Sequence, residues 1–499
     1  MPMFRKVIAT AVCASLPALA VAQVPEALRD AARSAVVANP EVQAGWHAFR
    51  ASEEEQDVAR GGYLPQLDLT ASTGRERRTR PGLGTDSYSH RNATLSLNQM
   101  VYDGFFTRSE VARLGHAKLA RYFELVDASE NAALEALRAY ADVLRYRELV
   151  RLAQENYVQH RQIHQQIAER TGAGVGRRVD LEQATGRLAL AESNLLTEVS
   201  NLHDVSARYQ RIVGSTPPEE LPAAGPRLGS GPLPAGVAGA LREAFAASPA
   251  LAAAQQNVQS GQAQVDARRA AYHPRLDLRA SQAVDRNLEN VSGTSRDGVV
   301  ALVLTYNLFR GGSDAARIRQ AGEALNQAKD LREKACRDLR QTLSIAYNDV
   351  QRLEEQLRYL DQHQLSIEKA REAYRRQFDI GQRTLLDLLD TENEYFQARR
   401  AYVAAATDQF VAQARTLAGM GHLLRALNVA REDLPAPADL GYEGNPDDPA
   451  SICPPEGPSP LQIDKEVVFA EAMRAAGYAA PQPGNGTGEA LPAGSIQGR

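Results

Sequence analysis

Apolar residues at Leu339, Leu343, Ala346, Val350, Leu353, Leu357, Leu360, Ile367 and Tyr374 fall on one heptad seam, interrupted only by Gln364 and Arg371. That spacing predicts a long helix packed as a coiled coil. A turn at Gly381 ends it, and Leu385, Leu388, Leu389, Phe396 and Tyr402 carry apolar character along a returning helix. The stretch FDIGQRTLLDLLDT (378–391) has a counterpart in TGAGVGRRVDLEQA (171–184), where Gly174 stands to Gly381 as Asp180 stands to Asp387, 207 positions apart. Ahead of that first turn, Leu134, Leu137, Ala141 and Leu144 mark a packing seam within a proline-free tract. At 1.5 Å per residue the tract would be about 100 Å long.

Between the helical tracts the period shortens to two. After Pro65, Leu67, Leu69 and Ala71 alternate with Asp68, Thr70 and Ser72, which predicts a strand with one apolar face. The same writing recurs as YHPRLDLRAS for YLPQLDLTAS, offset by 209 positions, and LVLTYNLFRG answers LSLNQMVYDG at 207. One unit is therefore written twice. The first repeat, 23–213, is expected to hold helices at about 40–60, 105–168 and 179–213 and strands at about 64–76 and 91–101. The second, 237–425, is expected to hold helices at about 249–270, 313–377 and 384–421 and strands at about 273–284 and 298–308. Short helices at 26–38 and 237–247 open the halves, each stopped before a proline suited to a new helix start. Residues 214–236 form a Pro/Gly-rich linker. The Pro/Gly-rich tail, 426–499, is expected to be largely disordered apart from a helix near 467–476.

Composition is that of an ordinary globular chain, with 499 residues, 43% hydrophobic and 24% charged. Residues 1–22 differ: Arg5 and Lys6 precede an apolar run ending in Ala20-Val21-Ala22, the pattern of a secretory signal peptide. Its removal would move the formal net charge from −4 to −6, a poor match for nucleic acid. No later apolar run is long enough for a transmembrane helix, so a membrane role would have to use strands. Of three cysteines, Cys336 and Cys453 follow the leader; one lies mid-helix and the other in the tail, and they are expected to stay unpaired. His160 and His164 have the spacing of half a metal site, yet no third ligand completes it, and a solvated helix face is the expected reading. No phosphate loop, nucleophile elbow or cysteine pair motif is present, so neither an enzyme nor a cofactor is expected.

Four strands with an oily face cannot leave their edges open in lipid, where each unpaired backbone group costs several kcal/mol. A barrel would have to close between copies: two copies give eight strands, three give twelve, and only the larger leaves a conduit. The alternative is a soluble coiled-coil scaffold carrying a small sheet. The fold class read here is an α+β membrane protein with two internal repeats. Long antiparallel coiled-coil helices suit a tube reaching away from the membrane, and four strands join an oligomeric transmembrane β-barrel.

NPEV at Asn39, YLPQLDL at Tyr63, LNQMVYDG at Leu97, AYADVL at Ala139 and GQRTLLDLLDTENEYFQAR at Gly381 together resemble the TolC family of outer-membrane channel proteins, across nearly all of residues 26–425. The resemblance implies a homotrimer in the outer membrane and its lipid, with a twelve-stranded β-barrel and a periplasmic α-barrel of twelve helices, engaged by a periplasmic adaptor and an inner-membrane transporter, here favoured as the ABC type. It also implies a gate at the periplasmic end. Asp387 and Asp390 would supply carboxylate rings, Arg383 would be the gate arginine, and Asp180 of a neighbouring subunit would be its acidic partner. Phe378 stands where the family carries a gate tyrosine, so that latch hydroxyl is missing. A local reading of Asp387 competes with this, because Thr384-x-x-Asp387 resembles a capping box. The expected function is an exit duct for type I secretion of a protein, such as an adhesin or repeat-rich toxin, with multidrug efflux as the alternative.

Overall fold

The computed structural model describes residues 24–82, 84–223, 228, 233–444, 453–458, 461 and 463–477. The expected leader lies outside them, as do parts of the linker and tail. Residues 1–457 form one unit and 458–499 another. In the second, Asp464 caps a helix, Lys465–Ala475, by accepting from the amides of Glu466 and Val467.

In the first unit both halves have the same element order. The first runs α1 (Glu26–Ala38), α2 (Pro40–Arg60), β1 (Gln66–Arg80), β2 (Gly84–Tyr102), α3 (Phe106–Gly172) and α4 (Arg178–Val213). The second runs α5 (Val237–Ala247), α6 (Pro249–Arg269), β3 (Arg275–Arg286), β4 (Thr294–Thr305), α7 (Ser313–Asp379) and α8 (Leu385–Gly419). The short α9 (Leu423–Leu427) follows. Local chemistry sets the breaks. The Asn39 side chain accepts from the Glu41 amide and the Ser248 hydroxyl from the Leu251 amide, and each capping residue precedes a proline that opens the next helix.

The two longest helices, α3 and α7, have 67 residues each, about 100 Å at the helical rise. On α7 the heptad seam is the packed face: Leu343, Ala346 and Leu353 are buried, and Val350, Leu357 and Leu360 are half-buried against Ala405 and Ala412 of α8. Its two polar interruptions are both partnered. Gln364 donates to Asp361 at 2.8 Å, and Arg371 donates across to the buried Glu392 of α8 at 2.7 Å while stacking on Tyr395. A charge inside a seam is tolerable when its partner is brought in with it.

All four strands join one antiparallel sheet in the order β1, β2, β3, β4. The strands of the first hairpin run farther than alternation marks, because pairing continues to Arg80↔Gly84. The two hairpins meet through β2 and β3, with Asn92 opposite Asp285 and Ser96 opposite Ser281. β1 and β4 are left as edges among the described residues. One face presents Leu67, Leu69, Leu95, Leu278, Val300, Leu302 and Leu304, all exposed. Where the strands enter the helices, Tyr63, Tyr272 and Tyr306 are exposed and Tyr102 stacks edge-on against Phe105. Gly104 is obligatory at this junction. Its φ is +69°, and an added Cβ would lie 2.5 Å from His273 Cβ and 2.8 Å from the Ala270 carbonyl.

The largest core lies partway along the helices. Leu28, Ala32 and Val36 of α1 pack on Leu137, Tyr140 and Val143 of α3, Tyr209 and Ile212 of α4, Phe410 of α8, and Leu423 and Leu427 of α9. The repeat-related α5 docks on α7 through Leu241, Phe245, Leu343 and Tyr347. Two expectations fail here. Cys336 and Cys453 are disulfide-bonded, both buried in this second cluster, so the tail returns to the middle of α7. The segment after 426 is also ordered where described: Val429 and Arg431 are buried, Arg431 stacks on Trp46, and Tyr442 packs edge-on against Phe123. Scattered anchors hold it, with no periodic pattern.

Glu130 of α3 is buried and accepts from the amides of Leu423 and Leu424, capping α9. Burial outweighs these two bonds and pushes its carboxyl up to about 7. Between the unfolded value of about 4.3 and 7, the native state holds the extra proton, so this group's stabilisation is full below the lower value and is lost as pH rises towards 7. Thermal melting is expected to fall from pH 5 to pH 8 by more in the wild type than in Glu130→Gln, which keeps an acceptor without titrating. Equal pH dependence in the two proteins would remove this assignment.

Candidate functional site

The ends of the helices farthest from the strands carry the candidate gate. Gly174 and Gly381 both take φ +76° after a long helix, a left-handed conformation that suits glycine, and turn the chain back into α4 and α8. Beneath the turns, Phe378 is buried with Ile163 and Ile167 of α3, Ala184 of α4, and Leu385, Leu388 and Leu389 of α8. Arg170 lies 5.4 Å above its ring. The Phe378 side chain is thus an apolar plug joining the two hairpins.

Asp387 occupies the third position of α8 and completes a capping box with Thr384. Its Oδ2 accepts from the Thr384 amide at 3.1 Å and hydroxyl at 2.9 Å, and its own amide donates to that hydroxyl. The Thr384 hydroxyl, then the Thr384 amide, hold the carboxyl below its ordinary range, and Arg383, 3.9 Å away, adds a smaller pull. Asp387 therefore stays ionised well into acid. Arg383 donates to Gln377 at 3.0 Å and lies 4.4 Å over the Tyr374 ring. Asp180, in the first turn of α4, receives Arg177 at 3.2 Å. Within one subunit the structure thus does not join Arg383 to Asp180 among the described residues; the expected pair is one between subunits.

Asp390 is paired with Arg187 of α4 across the two hairpins. Sequence reasoning missed Arg187, although a signal existed: the position 207 residues on from it is Glu394, so the charge reverses between the repeats. Tyr374, one helical turn before Phe378, was placed on the heptad seam, but its support of Arg383 was not foreseen. The histidine pair divides. His160 is buried and its Nδ1 meets the Asn156 carbonyl at 2.9 Å, whereas His164 meets Thr185 at 3.2 Å. His160 is a core residue, correcting the solvated-face reading, and burial lowers its proton affinity. No cluster of metal-ligating side chains occurs among the described residues.

Residues 31–215 and 240–422 match the sequence model of a family described as Outer membrane efflux protein. The chain belongs to that family. Among curated relatives, the outer membrane efflux protein BepC of Brucella suis biovar 1 (strain 1330) is 27% identical over 406 residues, covering 81% of this chain and 87% of BepC. Alkaline protease secretion protein AprF of Pseudomonas aeruginosa is 28% identical, covering 78% and 83%. Outer membrane protein TolC of Escherichia coli (strain K12) is 24% identical, covering 81% and 85%. Among solved structures, the Campylobacter jejuni CmeC outer membrane channel superposes with a TM-score of 0.71 at 13% identity, covering 85% and 94%. CusC gives 0.71 at 17%, covering 82% and 93%. These structures share the fold. The chain is an outer-membrane channel with a long periplasmic helical portion, so its strands span the bilayer and the Phe378 end points into the periplasm.

Cutting Phe378 to alanine would leave a cavity among the seven-residue cluster, a change that in well-packed cores costs about 3–5 kcal/mol. The loss should stay local. Hydrogen exchange of amides 378–389 is expected to quicken by a hundredfold or more, while the mid-helix core around Tyr140 stays protected. Unchanged exchange at the tip would show that Phe378 does not bind the hairpins together.

Proposed function

We propose that the protein is the trimeric exit duct of a tripartite export system, engaged by a periplasmic adaptor and driven by an inner-membrane transporter. The observation that carries this is a four-stranded sheet with an exposed aliphatic face and two edges unpartnered among the described residues, set at one end of helices about 100 Å long. Three copies make twelve strands, enough to close a wall around a conduit. Polypeptide cargo moved by type I secretion, with an ABC-type transporter, is the favoured reading. Relatives named for secretion, AprF and the proteases secretion protein PrtF of Dickeya chrysanthemi, support it. The second reading, extrusion of small toxic compounds, draws on BepC, which is named for efflux. A strain lacking this protein is expected to lose a secreted polypeptide from its medium without gaining drug sensitivity. The reverse pattern would favour the second reading.

At the periplasmic end, three copies would bring Asp387 and Asp390 into carboxylate rings that attract cations. Asp390 arrives already paired with Arg187, so Asp387 supplies the less compensated charge. Arg383, resting on Tyr374, is in reach of the turn and would meet Asp180 of the next subunit. Phe378 holds the two hairpins of one subunit as a single moving part. In reconstituted bilayers the double variant Asp387→Asn, Asp390→Asn is expected to lose cation preference, and Arg383→Ser to raise resting conductance. Unaltered selectivity in the first would dismiss the rings, and a wild-type current in the second would place the latch elsewhere.

A further inference from the structure

Charge is sorted between the two faces of the sheet. All six acidic residues of the strands, Asp68, Glu76, Asp86, Asp277, Asp285 and Asp297, share one face by register, the face opposite the exposed leucines. All four arginines on that acidic face are paired with a carboxylate. Arg78 and Arg80 reach Glu289 at 2.9 and 3.2 Å, and Arg275 and Arg279 reach Asp277 at 3.0 and 3.6 Å.

The other five strand arginines, Arg75, Arg77, Arg91, Arg286 and Arg296, stand on the leucine face. All are exposed, and none makes an ion pair or side-chain hydrogen bond among the described residues. No acid shares their face. They occupy successive levels from the end of the apolar band outward, over about 20 Å of strand. Arg91 pairs with Arg286 and with Thr73, Arg296 lies opposite Val284, and Arg75 and Arg77 follow towards the hairpin tip. Below them, the apolar stretch from Leu276 to Val284 covers about 27 Å along the strand at 3.4 Å per residue, or roughly 20 Å of height at the tilt of barrel strands. The helices leave from the opposite limit of that band, beside Tyr63 and Tyr272. The arginines therefore sit at its outer limit, where the outer leaflet of an outer membrane places the phosphates of its glycolipid.

We propose that Arg75, Arg77, Arg91, Arg286 and Arg296 form a docking surface for those phosphates, with the aliphatic band beneath holding the acyl chains. A guanidinium grips a phosphate through two parallel N–H donors, and five such groups without a competing carboxylate match a phosphorylated surface in charge and in depth. This rests on the membrane placement of the strands and is independent of the cargo. Its role is to anchor the barrel at a fixed height in an asymmetric bilayer.

The test is native mass spectrometry of the full purified assembly titrated with bisphosphorylated lipid A, with its dephosphorylated form, and with inorganic phosphate as competitor. The wild type is expected to retain the bisphosphorylated lipid at least tenfold better than the dephosphorylated one, and equimolar inorganic phosphate should not displace it. Replacing all five arginines with glutamine should abolish the preference. If that variant does not assemble, the facing pair Arg91→Gln, Arg286→Gln should weaken binding by roughly fivefold per arginine. Equal retention of the two lipids, full displacement by inorganic phosphate, or glutamine variants that bind like the wild type would each overturn the assignment.

Discussion

Backbone hydrogen bonding in lipid is the constraint from which the rest of this structure follows. A sheet of four strands has two edges, and β1 and β4 supply them here with no partner among the described residues. In water such edges can be solvated; inside hydrocarbon each unmet N–H or C=O costs several kcal/mol, which outweighs the gain from the exposed leucines beside it. The sheet is thus committed to neighbours, and the neighbours most readily supplied are further copies of itself. Sorting of side chains by face agrees with that commitment. The strand leucines and five arginines stand on one side, and all strand acids on the other, which becomes the polar lining of a closed wall.

Closing a wall from separate chains needs a rigid alignment of subunits, and the helices provide it. The α7 seam uses ordinary coiled-coil packing where it is apolar and a partnered charge where it is not, as Arg371 and Glu392 show. At mid-length, α1 and α5 dock onto the long helices, and the tail is fastened there by Cys336–Cys453, Arg431 over Trp46 and Tyr442 against Phe123. The far ends are joined by a smaller cluster of their own. There Phe378 keeps both hairpins of a subunit together, while exposed charges on Asp387, Asp390 and Arg383 face outward from that plug.

Features with a period were legible in the sequence, and features without one were not. Alternation at Leu67, Leu69 and Ala71 marked the membrane face directly, because in a strand every second residue must meet the same surroundings. The repeat offset marked the duplicated unit, and Gln364 and Arg371 could be seen as breaks in a seam. Their partners could not, since Glu392 lies on another helix and its distance in sequence carries no rule. The reversal of charge from Arg187 to Glu394 marked a position without naming Asp390 as its partner, and the cysteine pair was hidden outright, its members 117 residues apart and its tail partner in a stretch without alternation. The carboxylate Asp387 was legible in two ways, as a ring and as a cap. Within one subunit its hydrogen bonds are those of the cap.

The number of chains in the assembly tests the central claim most directly. Mass measurement of the purified protein in detergent, followed by bilayer recording from the same preparation, should give three copies and a conducting pore. A lone, water-soluble chain that passes no current would contradict the account, because a single copy with open strand edges would then be stable without the neighbours that lipid demands.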